Sequence, residues 1–195
     1  MGLAEDASWV QGYTALASSY RATNDNQSAI ASFERGLEAL PNSSLLKMLL
    51  ASSYEKLGEK AKALKLYEEV LETNPDHQVI VNNLASLLID DFESVENVKR
   101  AVKLAERFAD SENPYFVDTY AWALIKSGLP EVAEPLLQRV TEMAPSVAVF
   151  HYHRGIGYAR LGKDKEAKIS LLTAREQAGL NEGLQGSIAN ALSDL

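Results

Sequence analysis

The chain has 195 residues, 46% of them hydrophobic and 24% charged, with a formal net charge of -8 and a pI near 5.0. Those proportions are ordinary for a folded protein, and the acidity argues against nucleic acid or an anionic membrane surface as a partner. There is no cysteine, which excludes disulfides, thiol catalysis and thiolate metal sites.

A fixed period organises what remains. Ala17 with Tyr20 returns 34 residues later as Ala51 with Tyr54, and then as Ala85 with Leu88. After one step of 36 the pair is Ala121 with Leu124, and then Gly155 with Tyr158. Ala29, Ala63, Ala133 and Ala167 keep the same beat, as do Pro41, Pro75 and Pro145. A period in this range marks an array of one supersecondary unit, in which each unit packs on its neighbours.

In chain order, Met1–Asp6 lacks a basic start followed by an apolar stretch, so no signal peptide is expected. Residues 1–9 read as a lead-in. The units then run 10–43, 44–77, 78–113, 114–147 and 148–181. The second shows the pattern best. Met48, Leu50, Ala51, Tyr54 and Leu57 recur at helical spacing, Gly58 stops that helix, and Ala61, Ala63, Leu64, Tyr67, Val70 and Leu71 begin another. Asn74-Pro75 ends it, because the residue before proline is pushed out of the helical region. Each unit is thus expected to be an antiparallel pair, helix A then helix B, with small residues where the two approach and large ones toward the next pair.

The third unit departs from this. No glycine ends its first helix, and Asp90–Glu96 forms an acidic insertion before helix B resumes near Val98. Arg154 stands where the pattern expects an apolar residue, so its stem is expected to pack while its guanidinium reaches solvent or a carboxylate. Residues 182–195 continue the register through Ile188, Ala189 and Leu192, as a capping helix or the start of a sixth unit. No apolar run approaches the roughly 20 residues needed to span a bilayer.

The alignment resembles the tetratricopeptide repeat, a 34-residue helix–turn–helix unit. The first unit fits its consensus with Leu16, Ala17, Tyr20, Ala29, Phe33 and Pro41, the second with Leu50, Ala51, Tyr54, Ala63, Tyr67 and Pro75, and the fourth with Tyr120, Ala121, Leu124, Ala133, Leu137 and Pro145. The fifth has Gly155, Tyr158, Gly162, Ala167 and Leu171, with Gly179 in place of the closing proline. The resemblance implies an all-α, right-handed superhelical solenoid of five helix pairs plus a C-terminal capping helix. The wording Asp118–Leu124 and His151–Tyr158 also resembles repeat proteins of bacterial envelope and exopolysaccharide systems.

A search for catalytic chemistry finds little. His151 and His153 are two apart on a helix and point in different directions; His77 is remote in sequence, and no phosphate-binding glycine loop is present. No catalytic residue, metal or cofactor is expected. The resemblance places helix A on a concave face, with Met48, Asn82, Tyr115, Asp118, Trp122, Ile125, Lys126, Tyr152, Ile156 and Arg160 among its groove positions. The leading expectation is therefore a non-enzymatic scaffold that binds a protein or peptide segment there, centred on the fourth and fifth units. The alternatives are a self-associating module, whose groove takes the terminal helix of another copy, and a repeat segment of a larger envelope or secretion protein. A clamp for an acidic C-terminal tail is not expected, because its basic positions hold Val79, Tyr115 and Thr119. The compartment stays open between cytoplasm and periplasm.

Overall fold

The computed structural model describes residues 3–195, with side chains from Trp9 onward; Met1 and Gly2, at the head of the expected lead-in, lie outside the described residues. Eleven α-helices follow one another among them, and no strand. They are α1 (Leu3–Ala22), α2 (Asn26–Ala39), α3 (Ser44–Lys56), α4 (Lys60–Thr73), α5 (Gln78–Asp90), α6 (Val95–Ala105), α7 (Pro114–Lys126), α8 (Pro130–Met143), α9 (Ala148–Arg160), α10 (Asp164–Gln177) and α11 (Glu182–Ser193). A 3-10 turn, Glu106–Phe108, extends α6. None of the described helices is long and apolar enough to cross a membrane.

The chain divides into two compact units, residues 1–87 and 88–195. In the first, α1 packs on α2 and α3 on α4. The small positions sit where the helices touch: Ala17, Ala29, Ala51 and Ala63 are all fully buried, as are Phe33 and Tyr67 beside them. Gly36 on α2 is flanked by Tyr13 and Leu46, whose atoms lie 2.9–3.1 Å from where a Cβ would stand. The turn after α3 uses Gly58 at φ 79°, and the turn after α1 uses Asn24 at φ 59°. Asparagine is the residue that replaces glycine most readily in the left-handed region. Short polar residues open the helices: the Asp25 carboxylate accepts the Ser28 backbone N–H and the Ser43 hydroxyl that of Leu46.

In the second unit, α7 pairs with α8 and α9 with α10, and α9 also rests on α8 and α7. Gly155 is the counterpart of Ala51. A Cβ built there would stand 2.6 Å from Leu171 Cγ, so α9 and α10 approach more closely than any side chain permits. α11 covers Leu171, Ala174 and Ala178 of the last pair with Ile188, backed by Leu184, Ala191 and Leu192. It thereby keeps the apolar face of that pair from water.

Candidate functional site

Helices α7 and α9 lie side by side in the second unit, and their A-helix face brings together most of the groove residues expected from the sequence. At its start Tyr115 is 56% exposed and meets the buried Phe150 edge-on, ring centres 5.2 Å apart. The Asn113 side chain, which accepts the Tyr115 backbone N–H, fixes this end of α7. One turn on, Asp118 is buried and both its carboxylate oxygens lie 3.0 Å from His153 Nδ1. The His153 ring in turn stacks on Trp122, centres 4.1 Å apart and planes within 10°. Tyr152 stands 6.2 Å from the same indole, half-buried, and burial is the chief cause of its raised phenol pKa, with Asp90 adding to it. Ile156 is partly buried on the next turn of α9.

Three expected groove residues prove to be framework. Ile125 is fully buried, because α9 crosses α7 at Gly157, where a Cβ would stand 3.1 Å from Ile125 Cδ1. Without a side chain at 157 the helices close over Ile125 and leave it no access to a ligand. Trp122 is only 8% exposed: its Nε1–H donates to Asp90 at 2.9 Å, and Lys126 Nζ sits 5.3 Å from its ring centre. Asp118 is likewise enclosed by its contact with His153.

The two cations at the edge of the face are engaged as well. Lys126 pairs with Glu93 at 2.6 Å and Arg160 donates to the Ile125 backbone carbonyl at 2.7 Å. Arg154, expected to meet solvent or a carboxylate, instead stacks over Tyr158 and donates to its hydroxyl and to that of Thr141. Met48 on α3 and Asn82 on α5 belong to the first unit, each partly buried, and Asn82 donates to Asn83.

What sequence reasoning missed is the use made of the acidic insertion. Asp90 accepts the Trp122 indole N–H, Glu93 accepts Lys126, Ser94 caps α6 at Asn97, and Asn97 donates back to the Phe92 carbonyl. The loop is thereby laced to the same side of α7 that carries the aromatic residues. Its one cue was composition, two acids opposite a tryptophan and a lysine about one repeat further on. Beneath the loop, Glu93, Ser94, Val95, Val98, Lys99 and Lys126 line a cavity of 520 Å³. Among the described residues there is no cluster of histidines and carboxylates able to hold a metal ion. His151, the other histidine of α9, meets the Pro145 carbonyl at 2.8 Å and serves packing.

Residues 14–77 match the tetratricopeptide repeat family. No curated protein matches the sequence. Solved structures of similar fold include PilW, a type IV pilus biogenesis factor, 21% identical over 94% of this chain and 86% of that one, with a TM-score of 0.75. A thermophilic repeat protein of Thermus thermophilus is 19% identical, covering 94% and 98% of the two chains with a TM-score of 0.70. YrrB, described as a repeat protein with an unusual peptide-binding site, is 18% identical over 91% and 90%, TM-score 0.66. At these identities the likeness carries the fold alone. Residues 14–77 thus carry the family's own sequence pattern, and helix pairs of the same fold continue through the residues that follow.

Proposed function

We propose that the chain is a non-catalytic scaffold that binds a protein or peptide segment on the α7–α9 face, with units divided at residues 10–43, 44–77, 78–113, 114–147 and 148–181 and a capping helix over 182–195. The observation that carries this reading is Tyr115, a large aromatic 56% exposed at the mouth of a face otherwise floored by Trp122, Tyr152 and Ile156. Exposed aromatic side chains over a rigid apolar floor are the usual anchors of protein interfaces. The floor is rigid because stacking, a hydrogen bond and a buried Asp118–His153 contact hold it. Tyr115, Tyr152, Ile156 and His153 are then the contact residues, and Trp122, Ile125, Asp118, Lys126 and Arg160 position them. Met48 and Asn82, in the first unit, would be contacts of their own. The peptide-binding site named for YrrB supports the same use of this fold here.

The test is a peptide-display selection against the whole chain, followed by anisotropy titration of a selected peptide. Tyr115→Ala and Ile156→Ala should each weaken binding about tenfold or more while leaving Tm unchanged. Trp122→Ala should instead lower Tm, because a tryptophan this buried costs about 3–5 kcal/mol to truncate. Selected peptides that bind both surface variants as tightly as the parent chain would refute the site.

A further inference from the structure

We infer that the cavity beneath the acidic insertion is a second docking site, which takes an acidic side chain of a partner segment together with an aliphatic one two residues away. The inference rests on the α7–α9 reading for the partner being a polypeptide. One wall is the start of α6, where the spacing of Val95, Val98 and Lys99 sets them on one helix face. The insertion supplies Glu93 and Ser94, and the end of α7 supplies Lys126 and Ser127. At 520 Å³ the cavity falls within the ~300–1,000 Å³ of ligand pockets.

Its lining divides into an apolar floor and two cations. Val95 is 76% exposed in the first turn of α6, where its branched side chain neither favours the helix nor covers a core. With the buried Val98 it forms the floor. The serine hydroxyls are used internally: Ser94 accepts the Asn97 N–H and Ser127 donates to the Leu124 carbonyl. Lys126 holds one carboxylate, that of Glu93, and Lys99 has no ion-pair partner among the described residues. Asp91 and Glu96 do not line the cavity, so two lysines face a single glutamate there, in a chain of net charge -8.

Glu93 identifies the occupant. Its carboxylate shows that an acidic side chain reaches Lys126 from this side, and with the Glu93 side chain 52% exposed the pair is weakly held. A carboxylate that displaces Glu93 meets Lys99 as well. An extended chain sets residues two apart on one side, so a segment across the mouth lowers an acid between the lysines and an aliphatic group onto Val95 and Val98. Lys126 also stands 5.3 Å from the Trp122 ring centre, and so borders both the cavity and the α7–α9 face. One segment can therefore run from one to the other. From Tyr115 to Lys126 the helix rises about 16 Å, which an extended chain covers in about five residues.

The probe is acetyl-Leu-Gly-Glu-amide, titrated to about 20 mM into the whole isotope-labelled chain at fixed salt. The backbone amide resonances of Val95, Val98, Lys99 and Ser127 should shift, with a Kd on the order of 1 mM. The peptide with glutamine for glutamate should bind about tenfold more weakly. Glu93→Gln removes the internal competitor and should tighten the glutamate peptide about two- to fivefold, whereas Lys99→Gln should weaken it by a similar factor. Val95→Ser should weaken it about threefold. Glu182→Gln, on the α11 helix that packs on α9 and α10, makes the same change of charge and should alter nothing. All four side chains are exposed, so the variants should keep the parent's Tm. The tripeptide, about 10 Å long when extended, is too short to reach Tyr115 as well, so its result stands apart from the fate of the α7–α9 face. No shift at the cavity, equal binding of the glutamine peptide, or no tightening in Glu93→Gln overturns the proposal, whatever Tyr115→Ala does to longer selected peptides. So does a preference for a free α-carboxylate over the glutamate side chain, which would make the occupant a chain terminus.

Discussion

Replacing Gly155 by alanine adds one methyl group at the point where α9 and α10 are closest. That methyl carbon would stand 2.6 Å from Leu171 Cγ, 2.8 Å from Leu171 Cδ2 and 3.3 Å from the Ala167 carbonyl oxygen. Comfortable carbon–carbon contacts lie near 3.5–4.0 Å, so the helices must separate by the better part of an ångström or Leu171 must change rotamer. Leu171 is fully buried, so any rotamer change must displace its neighbours in the core. Overpacking of this kind costs about 1–3 kcal/mol, against which the better helix propensity of alanine returns about 0.5–1 kcal/mol. The net expectation is a loss of about 1–2 kcal/mol, or roughly 2–8 °C in Tm for a domain of this size. Gly186→Ala on α11 is the control, because nothing lies within 4 Å of its added methyl, and it should raise Tm by about 1–4 °C. Thermal melts followed at 222 nm, with urea midpoints alongside, read both. If Gly155→Ala stabilises the protein as Gly186→Ala does, the axes of α9 and α10 are further apart than described and the small-residue rule behind the repeat is wrong.

Ala51→Leu should cost about 1–3 kcal/mol or more by the same mechanism, since Ala51 is fully buried between its neighbours; an unchanged urea midpoint would refute it. Trp122→Phe keeps the ring but deletes the N–H given to Asp90, and should lower stability by about 1–2 kcal/mol. In an Asp90→Asn background the same replacement should cost less, which a double-mutant cycle measures. Tyr67 is fully buried and its hydroxyl donates to Glu55; burial first, and that carboxylate second, raise its phenol pKa above the ordinary value of 10. A raised folded pKa means stability fully present below pH ~10 and lost as pH climbs toward the folded value. Urea midpoints should therefore fall from pH 10 upward, and Tyr67→Phe should flatten that fall; an equally steep decline in the variant would place the titration elsewhere.

The helix pairs were legible because each depends on a local rule that repeats. Ala17, Ala51 and Gly155 mark where two helices touch, and Gly58 and Gly128 mark where the first of a pair stops, both at positive φ. Asn24 performs the same turn with no glycine to announce it. Binding-face residues were less legible, because position in a unit says which way a side chain points and not what crosses over it. Ile125 points as expected but is sealed by Gly157, a close approach set two helices later. Asp118 and Trp122 are enclosed by His153, 35 and 31 residues downstream, through contacts no local pattern encodes. The insertion read as surplus loop because its partners, Trp122 and Lys126, lie 32 and 33 residues beyond Asp90 and Glu93.

That lacing also limits how the gene can be rearranged. Unequal recombination adds or removes whole 34-residue blocks, which is easiest where blocks meet only through apolar residues that are interchangeable from one block to the next. The junction of α5–α6 with α7–α8 adds specific polar pairs, because Asp90 and Glu93 find their partners only on the helix that carries Trp122 and Lys126. Deleting either block alone leaves an unmatched indole or a pair of stranded carboxylates. Asp118 with His153 and Glu134 with Lys163 bind α7–α8 to α9–α10 in the same way, so the stretch from α5 to α10 must move as one cassette and is where shuffling should be rare.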